Sequence, residues 1–288
     1  MAIYLGNTAI KKVYLGATEI KKIYKGSTLL YSSFTYDPDL LTYIDGLVTP
    51  LSTEQLILLN NTIVNLKVGL GIANLSQAFD AMYILAGETQ ESALRNLVKR
   101  LHDATAVNTP SFVPFEGFTS NLTSSYINSN YNPSTQGQNF IQDSASWGIY
   151  SRTSRAGSNS KVIIGNTSLY QRMLLFNISN QVTGGVNSVG YDPVANANSL
   201  GFFIYQRPDN TRCQLSKNGS TFADGLGEST APANTNTYIL CTNNAGTPLT
   251  YDDCQCSIAF MGRSFSNAEA LVIYNAFQAY MTANGKQV

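Results

Sequence analysis

The chain has 288 residues, 43% hydrophobic and only 12% charged, with 18 Lys+Arg against 18 Asp+Glu. A net charge of zero argues against nucleic-acid binding, which needs a basic footprint. No basic start or apolar leader follows Met1 and no apolar run approaches a membrane span, so assembly in a cytoplasm with no membrane partner is expected. Cys213, Cys241, Cys254 and Cys256 then read as free thiols. Cys254-Gln-Cys256 lacks a second pair at zinc spacing, so neither a metal nor a cofactor is expected.

The chain opens on a ten-residue unit written three times, Ile3–Lys12, Val13–Lys22 and Ile23–Ser32. Each unit has a β-branched residue and a Tyr, then Gly, then Thr and an aliphatic residue, which spells strand, turn, strand. Gly6, Gly16 and Gly26 fall where the chain must reverse. About thirty residues cannot bury a core of their own. The apolar row Tyr4, Leu5, Tyr14, Leu15, Ile23 and Tyr24 is therefore expected to form an anchoring or oligomer interface that closes the open strand edges. The alternative is a hairpin packed on the rest of the chain.

At Asp37 the period changes from 2 to 3.6. Asp37-Pro38 opens a short helix that Gly46 closes. Ser52 and Gln55 cap a second helix with Leu56, Leu59, Ile63, Leu66 and Leu70 on one face. The spacing predicts a third helix over Leu75–Leu85 and a fourth from Glu88 to about Leu101. His102, the only histidine, reads as a cation at that helix end or a partner of Asp103. Residues 34–106 thus read as a helical spacer between a repeat module, 1–33, and a last domain, 107–288.

From Phe115 onward short strands alternate with Asn/Gly/Ser turns. The expected strands are Ser125–Asn128, Ala145–Thr153, Lys161–Asn166, Leu169–Ser179, Gln181–Val186, Ser199–Arg207, Thr211–Lys217, Thr237–Asn243 and Gln255–Gly262. Asn218-Gly219 marks a hairpin, and Gly184-Gly185 reads as a turn. Alternation puts Trp147 and Ile149 on one face of their strand and Tyr150 and Arg152 on the other. Such a series predicts a two-sheet β-sandwich. Ser266 and Glu269 cap a closing helix carrying Leu271, Tyr274, Phe277 and Met281. The fold class is multidomain and mainly β: short N-terminal β repeats, a small α-helical segment, and a C-terminal two-sheet jelly roll closed by a helix.

Several stretches, in this order, resemble a family of bacteriophage virion tail or appendage proteins with a concanavalin-like (laminin-G-like) jelly-roll domain. They are Phe79-Asp-Ala-Met-Tyr83, Gly117-Phe-Thr-Ser-Asn121, Ser124-Ser-Tyr-Ile-Asn128, Tyr131-Asn-Pro-Ser-Thr135, Gly148-Ile-Tyr-Ser-Arg-Thr153, Leu200-Gly-Phe-Phe-Ile204 and Ser266-Asn-Ala-Glu-Ala270. The Ile-Tyr-Leu-Gly repeats resemble a short anchoring module of phage structural proteins. The resemblance implies a virion component, assembled in the bacterial host, whose repeats dock on other virion proteins and whose oligomer is a homotrimer.

Glycosidases of this architecture need paired carboxylates, and no Glu-x-Asp-x-Glu run occurs. No nucleophile elbow, P-loop or dinucleotide fingerprint occurs either, so no catalytic residue is assigned and the chain reads as a non-enzyme. Asp252-Asp253 reads as a solvated turn rather than a calcium site. For ligand contact, Tyr150, Arg152, Tyr191, Tyr205 and Arg207 are the surface candidates, aromatic or amphipathic groups suited to a host-surface glycan or protein. The functional expectation is a tail fibre or related appendage displaying a lectin-like domain. The alternative is a head fibre, collar or decoration protein with a purely structural sandwich.

Overall fold

A computed structural model describes the chain apart from residues 1–3, 6–7, 10–12, 16–17, 21, 26–27, 33–34, 155–160, 167–170, 176–179 and 189–192, and apart from the side chains of 1–34. The chain divides into two compact units, Met1–Asp37 and Pro38–Val288.

In the first unit each repeat is an antiparallel pair. These are β1 (Tyr4–Leu5) with β2 (Thr8–Ala9), β3 (Val13–Leu15) with β4 (Thr18–Ile20), and β5 (Lys22–Lys25) with β6 (Thr28–Ser32). The registers Leu5↔Thr8, Leu15↔Thr18 and Lys25↔Thr28 repeat at steps of ten, as the sequence does. The turn glycines lie outside the described residues. So do the side chains of Tyr4, Leu5, Tyr14, Leu15, Ile23 and Tyr24, to which an interface role is ascribed above.

The second unit begins with α1 (Pro38–Ile44) and α2 (Thr53–Leu70). The Ser52 hydroxyl accepts from Gln55 N, and Gly71 at φ 65° returns its N–H to the last carbonyls of α2. α2, continued to residue 77, is long and apolar enough to cross a membrane by length and composition, contrary to the expectation that no such run exists. Here it is the outer layer of the fold, with Leu59, Ile63 and Leu66 buried.

The remaining elements, in order, are β7 (Phe79–Tyr83), α3 (Gln90–Leu94), β8 (Thr105–Val107), β9 (Ser111–Val113), β10 (Gly117–Thr119), β11 (Tyr126–Asn128) and α4 (Pro133–Gln136). Then come β12 (Ala145–Ser151), β13 (Ile164–Gly165), β14 (Arg172–Leu174), β15 (Gln181–Gly185), β16 (Val194–Ala195), β17 (Gly201–Arg207), β18 (Arg212–Lys217) and β19 (Ser220–Leu226). The chain closes with β20 (Tyr238–Ile239), β21 (Thr242–Asn244), β22 (Thr247–Leu249), β23 (Cys256–Gly262) and α5 (Asn267–Ala283).

Two antiparallel sheets form a sandwich. The first runs β19-β18-β17-β12-β23-β10-β9, with β7 also on β23; the second runs β16-β15-β14-β13-β20-β11-β8. Between them Trp147, Ile149, Phe203 and Met261 of the first sheet share one core with Ile127, Ile164, Met173, Val182 and Ile239 of the second. All four cysteines are buried free thiols, and burial raises the pKa of Cys241 and Cys256. Asn218 and Gly219, at φ 51° and 76°, make the expected tight turn between β18 and β19.

The other face of the first sheet is also covered, by α5. Phe202 and Phe260 meet Phe277 of α5 at centroid distances of 5.4 and 6.4 Å. The Ser266–Glu269 capping box that starts α5 forms as expected. α2 packs on α5 in turn: a Cβ on Gly69 would collide with Val272, and Tyr280 Oη donates to Gln55 Oε1 at 3.0 Å. The architecture is therefore mainly β, a two-sheet sandwich with a small helical layer on one face.

Five expectations are corrected. Leu75–Leu85 holds no α-helix: Leu75–Gln77 is a single 3-10 turn, and Phe79–Tyr83 is a strand, buried at all five positions and paired with β23. A strand covered on both faces has no alternation, so its apolar run imitates a helix. The 34–106 segment is thus not one separate helical spacer, because this strand lies inside the sandwich sheet. The fourth helix stops at Leu94: Asn96 Oδ1 accepts from Met82 N and Val98 N, its Nδ2 donates to Leu101 O, and Asp103 Oδ1 accepts from Asn96 N. These tertiary bonds displace the helical ones. His102, at φ 63°, then lies outside any helix and sets Nδ1 3.0 Å from Asn130 O, with its pKa lowered by burial. Gly184-Gly185 is not a turn but the end of β15.

Candidate functional site

The residues expected at the surface are mostly interior. Tyr150 is fully buried beneath α5, donating to Gln278 Oε1 at 2.7 Å and accepting from Val288 N at 3.0 Å. Tyr205 belongs to the inter-sheet core. Arg207 is fully buried and donates to the carbonyls of Val186, Asp209 and Gly227 at 3.0–3.1 Å, tying three loops together. Tyr191 lies outside the described residues. Strand alternation placed Tyr150 on the face away from Trp147 correctly, and the helical layer that covers that face carries no signal in the strand itself; Tyr205, paired with Trp147, faces the core instead.

Arg152 is a brace. Its Nη1 lies 3.1 Å from Glu116 Oε2 and its Nε donates to Lys286 O, while Lys286 Nζ reaches Glu116 Oε1 at 2.5 Å. The Lys286 hydrogen bond, followed by Arg152, holds the Glu116 carboxyl below its ordinary value of 4.5. Stability from this depressed group is fully present above 4.5 and is lost as pH falls through the lower folded value. Glu116→Gln is expected to flatten the acid limb of a stability–pH curve measured by urea unfolding, leaving the neutral plateau shifted by less than about 1 kcal/mol.

What the second sheet presents on its outer side was not singled out from the sequence. In β11 and β20, Ile127 and Ile239 point into the core, so Tyr126, Asn128 and Tyr238 point away from it. Tyr126 and Tyr238 pack with ring centroids 4.5 Å apart, and Tyr251 joins at 6.4 Å from Tyr126. Val107 and Cys241 complete the cluster. Burial, then the hydrogen bond with Tyr238, raises the Tyr126 pKa, and burial raises that of Tyr251, so both phenols stay protonated at neutral pH.

Beside the rings runs a row of amides. Asn128 pairs with Tyr238 across the strands, and Asn236 Nδ2 donates to Asn128 Oδ1 at 3.3 Å. Asn243 Nδ2 donates to Asn236 O, and Asn132 Nδ2 donates to Asn234 Oδ1 at 2.9 Å. Asn128 and Asn236 are both half-buried, and among the described residues Asn128 Nδ2 and Asn236 Oδ1 take no further hydrogen bond, one donor beside one acceptor.

Elsewhere a depression of about 250 Å³ is lined by Glu91, Leu94, Arg95, Asp103 and Ala104. Its polar groups are engaged structurally: Glu91 accepts from Val48 N and Thr49 N, and Arg95 donates to the carbonyls of Tyr43, Asp45 and Gly46. Among the described residues no group of three or more His, Cys, Asp or Glu is placed to hold a metal. Asp253 pairs with Lys161 at 2.7 Å, and Asp252 Oδ1 accepts from Cys254 N.

No family model and no curated protein matches the sequence. Among solved structures, the chain is similar to Trypanosoma rangeli sialidase at 12% identity and TM-score 0.48, covering 76% of this chain and 39% of that one. It is also similar to the receptor-binding domain of botulinum neurotoxin C/D mosaic serotype, at 9% identity and TM-score 0.44, covering 70% and 52%. The binding domain of Paraclostridial Mosquitocidal Protein 1 follows at 8% identity and TM-score 0.45, covering 71% and 53%. The chain spans about two fifths to one half of the length of these structures. The likeness is one of β-sandwich fold.

That finding overturns the non-enzyme expectation. The similar structures include a sialidase, and the absence of one strand motif does not exclude catalysis.

Proposed function

We propose that the chain is a bacteriophage virion appendage protein, a tail fibre or a relative of one, that attaches to a host-surface glycan or protein. The N-terminal repeats anchor it to other virion proteins and close on sister chains as a homotrimer, and the sandwich is the displayed part. The observation that carries this reading is the division of labour between the two units. Residues 1–37 are three short hairpins of repeated sequence, too small to bury a core. Residues 38–288 contain a continuous inter-sheet core and a helical layer of their own. A dependent module joined to a self-sufficient one is how an anchor carries a head.

The test is deletion of residues 1–33. The truncated protein should unfold cooperatively in urea yet fail to enter particles assembled in the host, and its mass in solution should fall from trimer to monomer. Normal incorporation of the truncated protein would place the anchor elsewhere.

A further inference from the structure

We propose that the outer face of the second sheet binds a neutral glycan, through the Asn128–Asn236 amide pair set against Tyr126, Tyr238 and Tyr251. The inference rests on the attachment reading above and names its site and ligand class.

The amide pair sets the chemistry. Each amide offers two donor hydrogens and an acceptor oxygen. The Asn236 Nδ2–Asn128 Oδ1 bond fixes the two groups side by side at 3.3 Å. Asn128 Oδ1 also accepts from Asn130 N at 2.9 Å, which orients the Asn128 plane from below. A donor and an acceptor held next to each other match a vicinal diol, in which each hydroxyl both gives and takes a proton. They do not match a carboxylate or a sulfate, which only accepts.

The tyrosines supply the apolar half. Tyr126 and Tyr238, buried at 8% and 7% exposure, form a fixed backing for Tyr251, the partly exposed ring of the cluster, so its orientation costs little to fix on binding. Phenol and ring together suit the mixed polar and C–H surface of a pyranose. None of Tyr126, Tyr238, Tyr251, Asn128 and Asn236 carries a charge, and the whole chain has none in excess. The opposite outer face of the sandwich is closed by α5, whereas Asn128, Asn236 and Tyr251 retain partial exposure.

The experiment uses the full chain on an immobilised panel of neutral di- and trisaccharides of glucose, galactose, mannose and N-acetylhexosamines, with sialylated and sulfated counterparts. At least one neutral glycan should be retained. Asn128→Ala with Asn236→Ala should lower that retention by about tenfold, the loss of two hydrogen bonds of ordinary strength. Asn236→Ala alone, which leaves the Asn130 N contact in place, should lower it several-fold with unfolding in urea unchanged. Retention of charged glycans only, or unchanged retention by either variant, overturns the proposal. Adsorption to host cells separates it from the attachment reading. Glycan retention without adsorption of the full chain would overturn attachment and leave the site. Adsorption undiminished in the double variant would overturn the site and leave attachment.

Discussion

Asp80→Ala is expected to cost about 4 kcal/mol of folding stability, the penalty for leaving several buried donors without an acceptor. Asp80 is fully buried on β7. Its Oδ2 accepts from Tyr131 Oη at 2.8 Å and from the backbone N–H groups of Gln138 and Phe140 at 3.0 and 2.9 Å; its Oδ1 accepts from Asn139 Nδ2 at 3.0 Å. Asn139 N lies 3.1 Å from both oxygens. One carboxylate therefore organises the whole turn between α4 and β12. Alanine leaves three backbone donors and a phenol without their acceptor, those of Phe140 and Tyr131 fully buried. Asp80→Asn keeps the shape and one acceptor oxygen, but its amide N–H₂ must face Asn139's own donors, so about half the penalty should remain. Urea unfolding reads both. A loss under about 1 kcal/mol for the alanine variant would mean that water replaces the carboxylate and that the turn is not held by it.

The sequence carries the sandwich more clearly than its covering. Each of the nine expected strands contains an observed one, because β12, β17 and β23 alternate or run apolar between Asn/Gly turns. The caps of α2 and α5 are local and were legible from Ser52, Ser266 and Glu269. Illegible were the features set by distant partners. Phe79–Tyr83 looks helical until β23 supplies its neighbour. Tyr150 looks exposed until α5 arrives from more than a hundred residues away. Arg207 looks like a ligand contact until three loops present their carbonyls to it. The tyrosine–asparagine face was within reach. Tyr126 and Asn128 flank Ile127, and Tyr238 precedes Ile239, so alternation alone puts all three polar-tipped residues on one side. The pairing of β11 with β20, which joins them, is not written in either strand.

The correction with the widest consequence concerns the helices, and it carries the second large prediction. Were residues 34–106 a spacer, their helices would melt apart from the sandwich. Instead Phe260, fully buried, is the hub of an aromatic layer between the first sheet and α5. Its ring lies 5.2 Å from Phe79, 5.9 Å from Phe265, 6.1 Å from Phe202 and 6.4 Å from Phe277. It rests on Gly148 of the neighbouring strand, where a Cβ would overlap the ring. Phe260→Ala should cost about 4 kcal/mol, as for other buried Phe truncations, since neither the sheet nor the helix can collapse into the space. The substitution removes contacts from both layers at once, so far-UV helical signal and Trp147 fluorescence should be lost in a single urea transition with a lowered midpoint and an unchanged slope. Ile57→Ala, on the 39% exposed face of α2, serves as the control and should shift stability by no more than about 0.5 kcal/mol. Two separated transitions in the Phe260 variant, helical signal first, would show that α2 and α5 are an independent layer rather than one cooperative unit with the sandwich.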